Sequence, residues 1–290
     1  MTERIVERII RGERASDGDG VRLRRSLGQG PHARQDPFLM LDELQADDSS
    51  GRIGGFPSHP HRGFETVTYM LEGSMHHRDS LGNSGTIGPG GVQWMTAAGG
   101  IVHSETPELG DGRIHGFQLW INLPASEKMK APRYQDIQGD QVPEYPLDGG
   151  RVRVIAGEIE REGNMLVGPV SGVATGPTFL DLKLDPDGEV ALPLEASRNA
   201  MLYVYEGEVS AGEDGFSPVT ATHAGLLSTG DEVRLRGGQA GAGLLLLAAT
   251  PVKEPVVQHG PFVMNTREEI EQAIRDFQEG RFEQQDVALA

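Results

Sequence analysis

From about Val21 onward, short apolar runs alternate with turns rich in Gly, Pro and Asp. DPFLMLDEL (36–44), FETVTYMLEG (64–73), SMHHRDSLG (74–82), GGVQWMTAAGG (90–100) and HGFQLWINLP (115–124) each read as a strand of β-branched and aromatic residues bounded by turn formers. Short strands at such even spacing predict a sandwich or barrel. The polar, proline-bearing stretch from Pro124 to Gly150 breaks the rhythm and is expected to connect two domains. A second series follows in RVRVIAGEIE, GPTFLDLKLDPDGEVALPLE, NAMLYVYEGEVSAG, HAGLLSTGDEVRLRG and AGLLLLAATP.

The two series share a signature. Laying NAMLYVYEGEV on ETVTYMLEGSM pairs Glu206-Gly207 with Glu72-Gly73 at an offset of 134 residues, as two copies of one β-barrel would. At that offset Pro193, Glu195 and Gly237 stand where the first copy has His59, His61 and His103. One helix is expected near the end, over 266–279. Thr266 and Glu269 make a capping box, Ile270, Ala273, Ile274 and Phe277 form an apolar stripe suited to packing on the outside of a barrel, and Gly280 ends it.

Composition narrows the chemistry. The 40 glycines are about twice the usual share of roughly 7% and favour strands and turns over a helical bundle. A formal net charge of −17 repels phosphate backbones and anionic membrane surfaces, so direct nucleic-acid binding is not expected, whereas a basic protein partner remains compatible. With no cysteine, disulfides and thiolate ligands are excluded, and any metal must be held by His, Asp or Glu. The N-terminus MTERIVERIIRGERAS lacks an apolar signal core and GLLLLAA is too short to span a bilayer, so a cytoplasmic location is expected. GNSGTIGPGG has no Walker lysine and reads as a turn region.

Two of the nine histidines stand two apart in FPSHPHRGF. In an extended chain His59 and His61 therefore point the same way and can grip one object together. His103 and Glu105, in AAGGIVHSETP, form a second such pair. Three imidazoles and a carboxylate converging from two strands suit a divalent first-row metal. The neighbours His76 and His77 face opposite sides and cannot share an ion; with His32, His223 and His259 they are read as surface or hydrogen-bonding residues. His115 is a candidate partner of the ligands.

These residues resemble the cupin superfamily, with His59-Pro60-His61 as its first motif and Gly100-Ile101-Val102-His103 as its second. The segments DPFLMLDE, HPHRGFETVTYMLEG, GGIVHSE, GFQLWINLP and GPFVMNT are similar, in the same order, to the pirin family. The resemblance implies an all-β fold of two tandem cupin (jelly-roll) barrels with a C-terminal helix: a metal-binding domain over 1–125, a linker over 126–149, and a domain over 150–290 that lacks metal ligands. In ordinary cupins the fourth ligand is a first-motif glutamate, near which Glu65 sits. In pirins the acid comes from the second motif, which makes Glu105 the expected ligand beside His59, His61 and His103, and Glu65 a strand residue or a partner of the ligands. Ala98 replaces a proline usual in the second motif.

The resemblance also implies two functions of different kinds. One is a quercetin 2,3-dioxygenase, in which metal coordination lowers the pKa of the flavonol hydroxyl, Glu105 acts as general base, and dioxygen cleaves the ring with release of carbon monoxide. Phe56, Phe64 and Met95 are candidates to receive the flat substrate. The other is a redox-sensing regulator that binds a protein partner, in transcription co-regulation or control of a metabolic enzyme. Fe(II) is the expected cofactor, because dioxygen chemistry or redox sensing needs a redox-active ion; Ni, Cu, Co and Mn suit the same ligands. A monomer is expected, since no long exposed apolar interface stands out.

Overall fold

The computed structural model describes residues 2–30, 33–47, 54–161, 163–212 and 218–282. The chain is all-β apart from one α-helix among the described residues, and it forms two compact units. One comprises Ala15–Leu23, Leu41–Gly139 and Val252–Ala290; the other comprises Met1–Arg14, Arg24–Met40 and Asp140–Pro251. The stretch expected as a linker contributes a strand to each: Arg133–Ile137 pairs with Val92–Thr96, and Glu144–Leu147 pairs with Gly150–Ala156.

The first unit contains His59, His61 and His103. In its larger sheet Arg133–Ile137, Val92–Thr96, Phe64–Glu72 and Arg113–Asn122 follow one another in that order, next to Phe38–Asp47, of which Leu41–Asp47 belongs to this unit. Its smaller sheet runs Phe56–His61, Ile101–Glu108, Ser74–Asp79 and Ser84–Ile87. On Phe64–Glu72 alternation sends Phe64, Thr66, Thr68 and Met70 to the side of the smaller sheet, and Glu65, Val67 and Tyr69 away from it.

In the second unit the core is aliphatic, with Val152, Val154, Leu180, Leu182, Leu202, Val204, Leu244 and Leu246 at most 1% exposed. The Glu-Gly signature has a backbone reason. Gly73 and Gly207 both adopt positive φ, 73° and 68°, where a side chain would meet backbone carbonyls at 2.8 Å and 2.2 Å.

The gapless offset of 134 holds for this hairpin and fails on the strand ahead of it. In the first unit His59 pairs with His103 and His61 with Ile101. The corresponding ladder of the second unit pairs Val190 with Leu235 and Leu192 with Val233, all at most 2% exposed in the core. Pro193, Glu195 and Gly237 are therefore not the counterparts of the histidines. Counted from the hairpin, Ala211 stands for His77 and pairs with Leu235 as His77 pairs with Glu105, so the rung matching His59 and His103 is Leu192 with Val233, displaced by one and four residues from the gapless count.

The ends of the chain do not follow sequence order. Val6–Arg11 pairs with His223–Leu227 in the second unit, burying Val6 and Ile10. The helix Arg267–Gln278, with Thr266 as N-cap and the reciprocal Thr266–Glu269 box, belongs to the histidine-bearing unit rather than to the 150–290 domain. Its Ile270 and Ala273 are buried in a cluster with Phe262, Met264 and Phe282 that also receives Val102. Phe277, expected in the stripe, is 43% exposed, because Phe282 takes the buried place at that end of the helix.

Candidate metal centre

His59 and His103 meet as direct cross-strand partners, and His61 lies two residues along on the same face. One ring nitrogen from each of His59, His61 and His103 falls within 4.8 Å of the other two, and among the described residues this is the group able to hold a metal ion. The ring centroids are 4.5 Å apart for His59 and His103, 4.6 Å for His59 and His61, and 5.0 Å for His61 and His103. His61 and His103 are each 2% exposed, whereas His59 is half-buried.

The hydrogen bonds prepare lone pairs rather than using them up. His59 Nδ1 donates to the Pro57 carbonyl at 2.8 Å, which fixes Nε2 as the unprotonated nitrogen. That Nε2 lies 3.0 Å from His61 Nε2, so at most one proton fits between two rings that both face the centre. His103 has both nitrogens buried without a hydrogen-bond partner. Such groups are costly unless a ligand satisfies them. Burial lowers the pKa of His103 to about 3, with His59 and His77 adding to the effect. Burial, then His103 and His59, also holds His61 well below the usual histidine range; the Pro261 carbonyl opposes this without forming a well-aligned hydrogen bond. Converging neutral imidazoles are the form a metal ion requires, and this donor set fits a divalent first-row ion.

Glu105 lies on the same face: Ile101–Glu108 alternates regularly, and the register shift falls on Phe56–His61, where one extra residue ahead of His59 leaves Glu105 paired with Phe56. One of its carboxylate oxygens is engaged: Oε1 lies 3.0 Å from Thr68 Oγ1, which lies 2.7 Å from Gln118 Oε1. A single hydroxyl proton cannot serve both oxygens, so with Glu105 ionised the Gln118 amide is turned to donate to Thr68, and Thr68 donates to Glu105. Burial raises the Glu105 pKa, opposed by His59, Thr68 and His77.

Glu65 faces away from this centre. It is 1% exposed, accepts from Thr96 Oγ1 at 2.7 Å, and is pushed up to about 7 by burial. Ala98, in place of the proline, adopts a left-handed φ of 42° in the turn that leads into Ile101–Glu108. His115 also faces away and pairs with Glu43 at 2.9 Å. His76 bonds Thr86, His223 bonds the Ala221 carbonyl, His259 is exposed, and His32 lies outside the described residues.

Of the apolar candidates, Phe64 is fully buried with its ring 5.1 Å from His61, and it packs on Trp120, which itself lies 5.3 Å from His61. Met95 is buried with Ala97, Ile101 and Tyr134, whereas Phe56 packs in a different cluster. Sequence reasoning passed over Thr68, Gln118 and Trp120. Period-two alternation counted from Phe64 reaches Thr68, and the register Gln118 to Thr68 and Trp120 to Thr66 brings in the other two.

Comparison with known proteins agrees with this architecture. The Pirin family profile matches residues 20–121, and the profile of the Pirin C-terminal cupin domain matches 179–283. The chain is 50% identical to a pirin-like protein of Caulobacter vibrioides over 97% of this chain and all of that one. It is 44% identical to human pirin, over 92% of this chain and 89% of that one. The crystal structure of a quercetin 2,3-dioxygenase from Acinetobacter baumannii superimposes with a TM-score of 0.87 at 32% identity, covering 97% of this chain and 98% of that one. No helix among the described residues is long and apolar enough to cross a membrane. By two family profiles and by relatives matched over nearly its whole length, the chain belongs to the pirin family, with two cupin domains.

Proposed function

We propose that the protein is a metal-dependent dioxygenase acting on a flavonol of the quercetin type, with His59, His61, His103 and Glu105 as metal ligands and Fe(II) as the ion. The observation that carries this reading is His103, whose two buried nitrogens have no partner in the protein while its ring faces His59 and His61. The fold shared with a quercetin 2,3-dioxygenase supports the substrate class. A bound divalent ion supplies Lewis acidity to a ligated hydroxyl and, when redox-active, an electron route to dioxygen.

The chain's own residues do the rest. His59 is oriented by the Pro57 carbonyl, so its lone pair faces inward. Glu105, held at one oxygen by Thr68, keeps the other for the ion or for a substrate proton, the role of general base. Phe64 and Trp120 present aromatic surface beside His61, suited to a flat ring system and to excluding water.

The test is aerobic turnover of quercetin by protein of quantified metal content, following flavonol absorbance together with carbon monoxide. Turnover in proportion to bound metal is expected. Full occupancy without turnover for any reconstituted ion would overturn the enzymatic reading in favour of a redox-sensing regulator, for which the charge of −17 suits a basic protein partner.

A further inference from the structure

We infer that His77 is a ligand-contacting residue: its Nδ1 accepts a hydrogen bond from a hydroxyl of a small molecule whose adjacent oxygen meets the metal centre beside Glu105. The inference rests on the metal-centre reading above and adds a polar subsite to it.

His77 was expected to be a surface or hydrogen-bonding residue, yet it lies inside the barrel. Along Ser74–Asp79 burial alternates so that Met75, His77 and Asp79 point inward while His76 and Arg78 do not. Ser74–Asp79 runs beside Ile101–Glu108 without a register shift, which sets His77 directly opposite Glu105 and Asp79 opposite His103. Side chains paired in this way stand about 5 Å apart at Cβ, the span of two neighbouring oxygens on one small molecule together with their hydrogen bonds.

The ring is held from several sides. His77 Nε2 is 3.2 Å from Asp136 Oδ2, and Gln93 Nε2 donates to the other oxygen of Asp136 at 3.0 Å. Facing a carboxylate, Nε2 is the nitrogen that carries hydrogen. The Tyr134 ring runs parallel to His77, 9° between planes and 6.2 Å between centroids. Gly85 leaves room for the pair, since a Cβ there would stand 3.0 Å from both Asp136 Oδ2 and His77 Cε1.

All this support fixes one nitrogen and leaves the other. Nδ1 lies on the far side of the ring from Asp136, buried, with no hydrogen-bond partner, in a residue 2% exposed. A histidine serving only as a strut needs one satisfied nitrogen and gains nothing from burying a second polar one. A ligand's hydroxyl, donating to Nδ1, supplies the missing partner. The class that fits has oxygens on adjacent carbons, as in hydroxyketones and catechols.

The test uses Co(II)-loaded full-length protein with the hydroxyketone maltol as probe and azide, which can ligate the metal but has no hydroxyl to reach His77, as control. Wild type, His77→Phe, His77→Gln and Asp136→Ala are compared for cobalt stoichiometry and for probe affinity by the visible cobalt spectrum. Expected are equal cobalt in all four, maltol binding weakened about tenfold in His77→Phe, as loss of one hydrogen bond predicts, partial recovery in His77→Gln and an intermediate loss in Asp136→Ala. Azide should bind all four alike. Equal maltol affinity in wild type and His77→Phe overturns the subsite. So does loss of cobalt, or an equal loss of azide binding, in His77→Phe and Asp136→Ala, because His77 would then be positioning the metal ligands. Failure of the wild type itself to take up cobalt is a separate result that refutes the metal-centre reading.

Discussion

His59 and His103 face each other as direct partners on adjacent antiparallel strands, and in the second unit the corresponding rung pairs Leu192 with Val233. One frame thus supports a polar, cation-shaped rung and an aliphatic one. His103→Leu, which makes the rung aliphatic as it is in the second copy, is therefore expected to abolish metal binding. It should also raise the stability of the metal-free protein by about 1–3 kcal/mol, since two buried unpartnered nitrogens are removed. Metal analysis and chemical denaturation of the chelated protein check both halves. Full metal stoichiometry in the variant would sink the assignment of His103.

Thr68 is positioned to decide which oxygen of Glu105 faces the ion. Thr68→Val keeps the shape and removes the hydroxyl, so metal affinity should fall about 10-fold, near the lower end of what loss of an outer hydrogen-bond partner costs, and Thr68→Ser should restore it. Glu105→Gln should retain some metal and lose turnover. Chelator competition and quercetin turnover read the two effects, and unchanged turnover in Glu105→Gln would show that another group serves as base.

Glu65 separates this chain from the ordinary cupin pattern. Its folded pKa of about 7 lies above the unfolded value of about 4.5, so the folded state holds a proton that the unfolded state releases between those values. Stability is lost as pH rises from about 4.5 to about 7 and levels off above. Glu65→Gln mimics the protonated acid; at pH 8 it should stabilise the protein by about 1–3 kcal/mol, with no gain at pH 4, and leave metal content unchanged. Loss of metal in this variant would return Glu65 to the ligand set.

Strand alternation made much of this legible. The His59-His61 pair shows in sequence because period two is local, and the capping box at Thr266 and Glu269 shows because it spans one turn. What did not show depends on register between distant strands. That Glu105 shares a face with His103 is read from a regular strand, whereas its partner Thr68 lies on another strand and is not. The inward turn of His77 follows from its pairing with Glu105, which its own neighbours do not encode. A gapless offset misplaces the counterparts of the histidines in the second copy, because it cannot see that the residue opposite Ala211 comes four positions sooner than the one opposite His77. The exchange of chain ends escaped for the same reason: a stripe of Ile270 and Ala273 declares that it will be buried, not against which barrel.

The helix is tied down next to His61, and this has a measurable consequence. Arg62 is 2% exposed and donates to the Gly99 carbonyl at 2.6 Å, to Asp276 Oδ2 at 2.8 Å and to the Phe282 carbonyl at 3.2 Å, with its guanidinium over the Phe282 ring. Asp276→Ala removes the one carboxylate that this buried cation meets among these partners. Breaking a fully buried pair costs about 3–5 kcal/mol; with Asp276 17% exposed, water offsets part of that, and about 1–3 kcal/mol is expected. The loss should appear first as faster amide exchange across Arg267–Gln278 rather than as global unfolding, because the helix is held by its own small cluster. Since Arg62 follows His61 in sequence, metal release should quicken by less than tenfold, well short of the effect of losing a ligand. Exchange across the helix at the wild-type rate would show that the Phe282 cluster alone holds it in place.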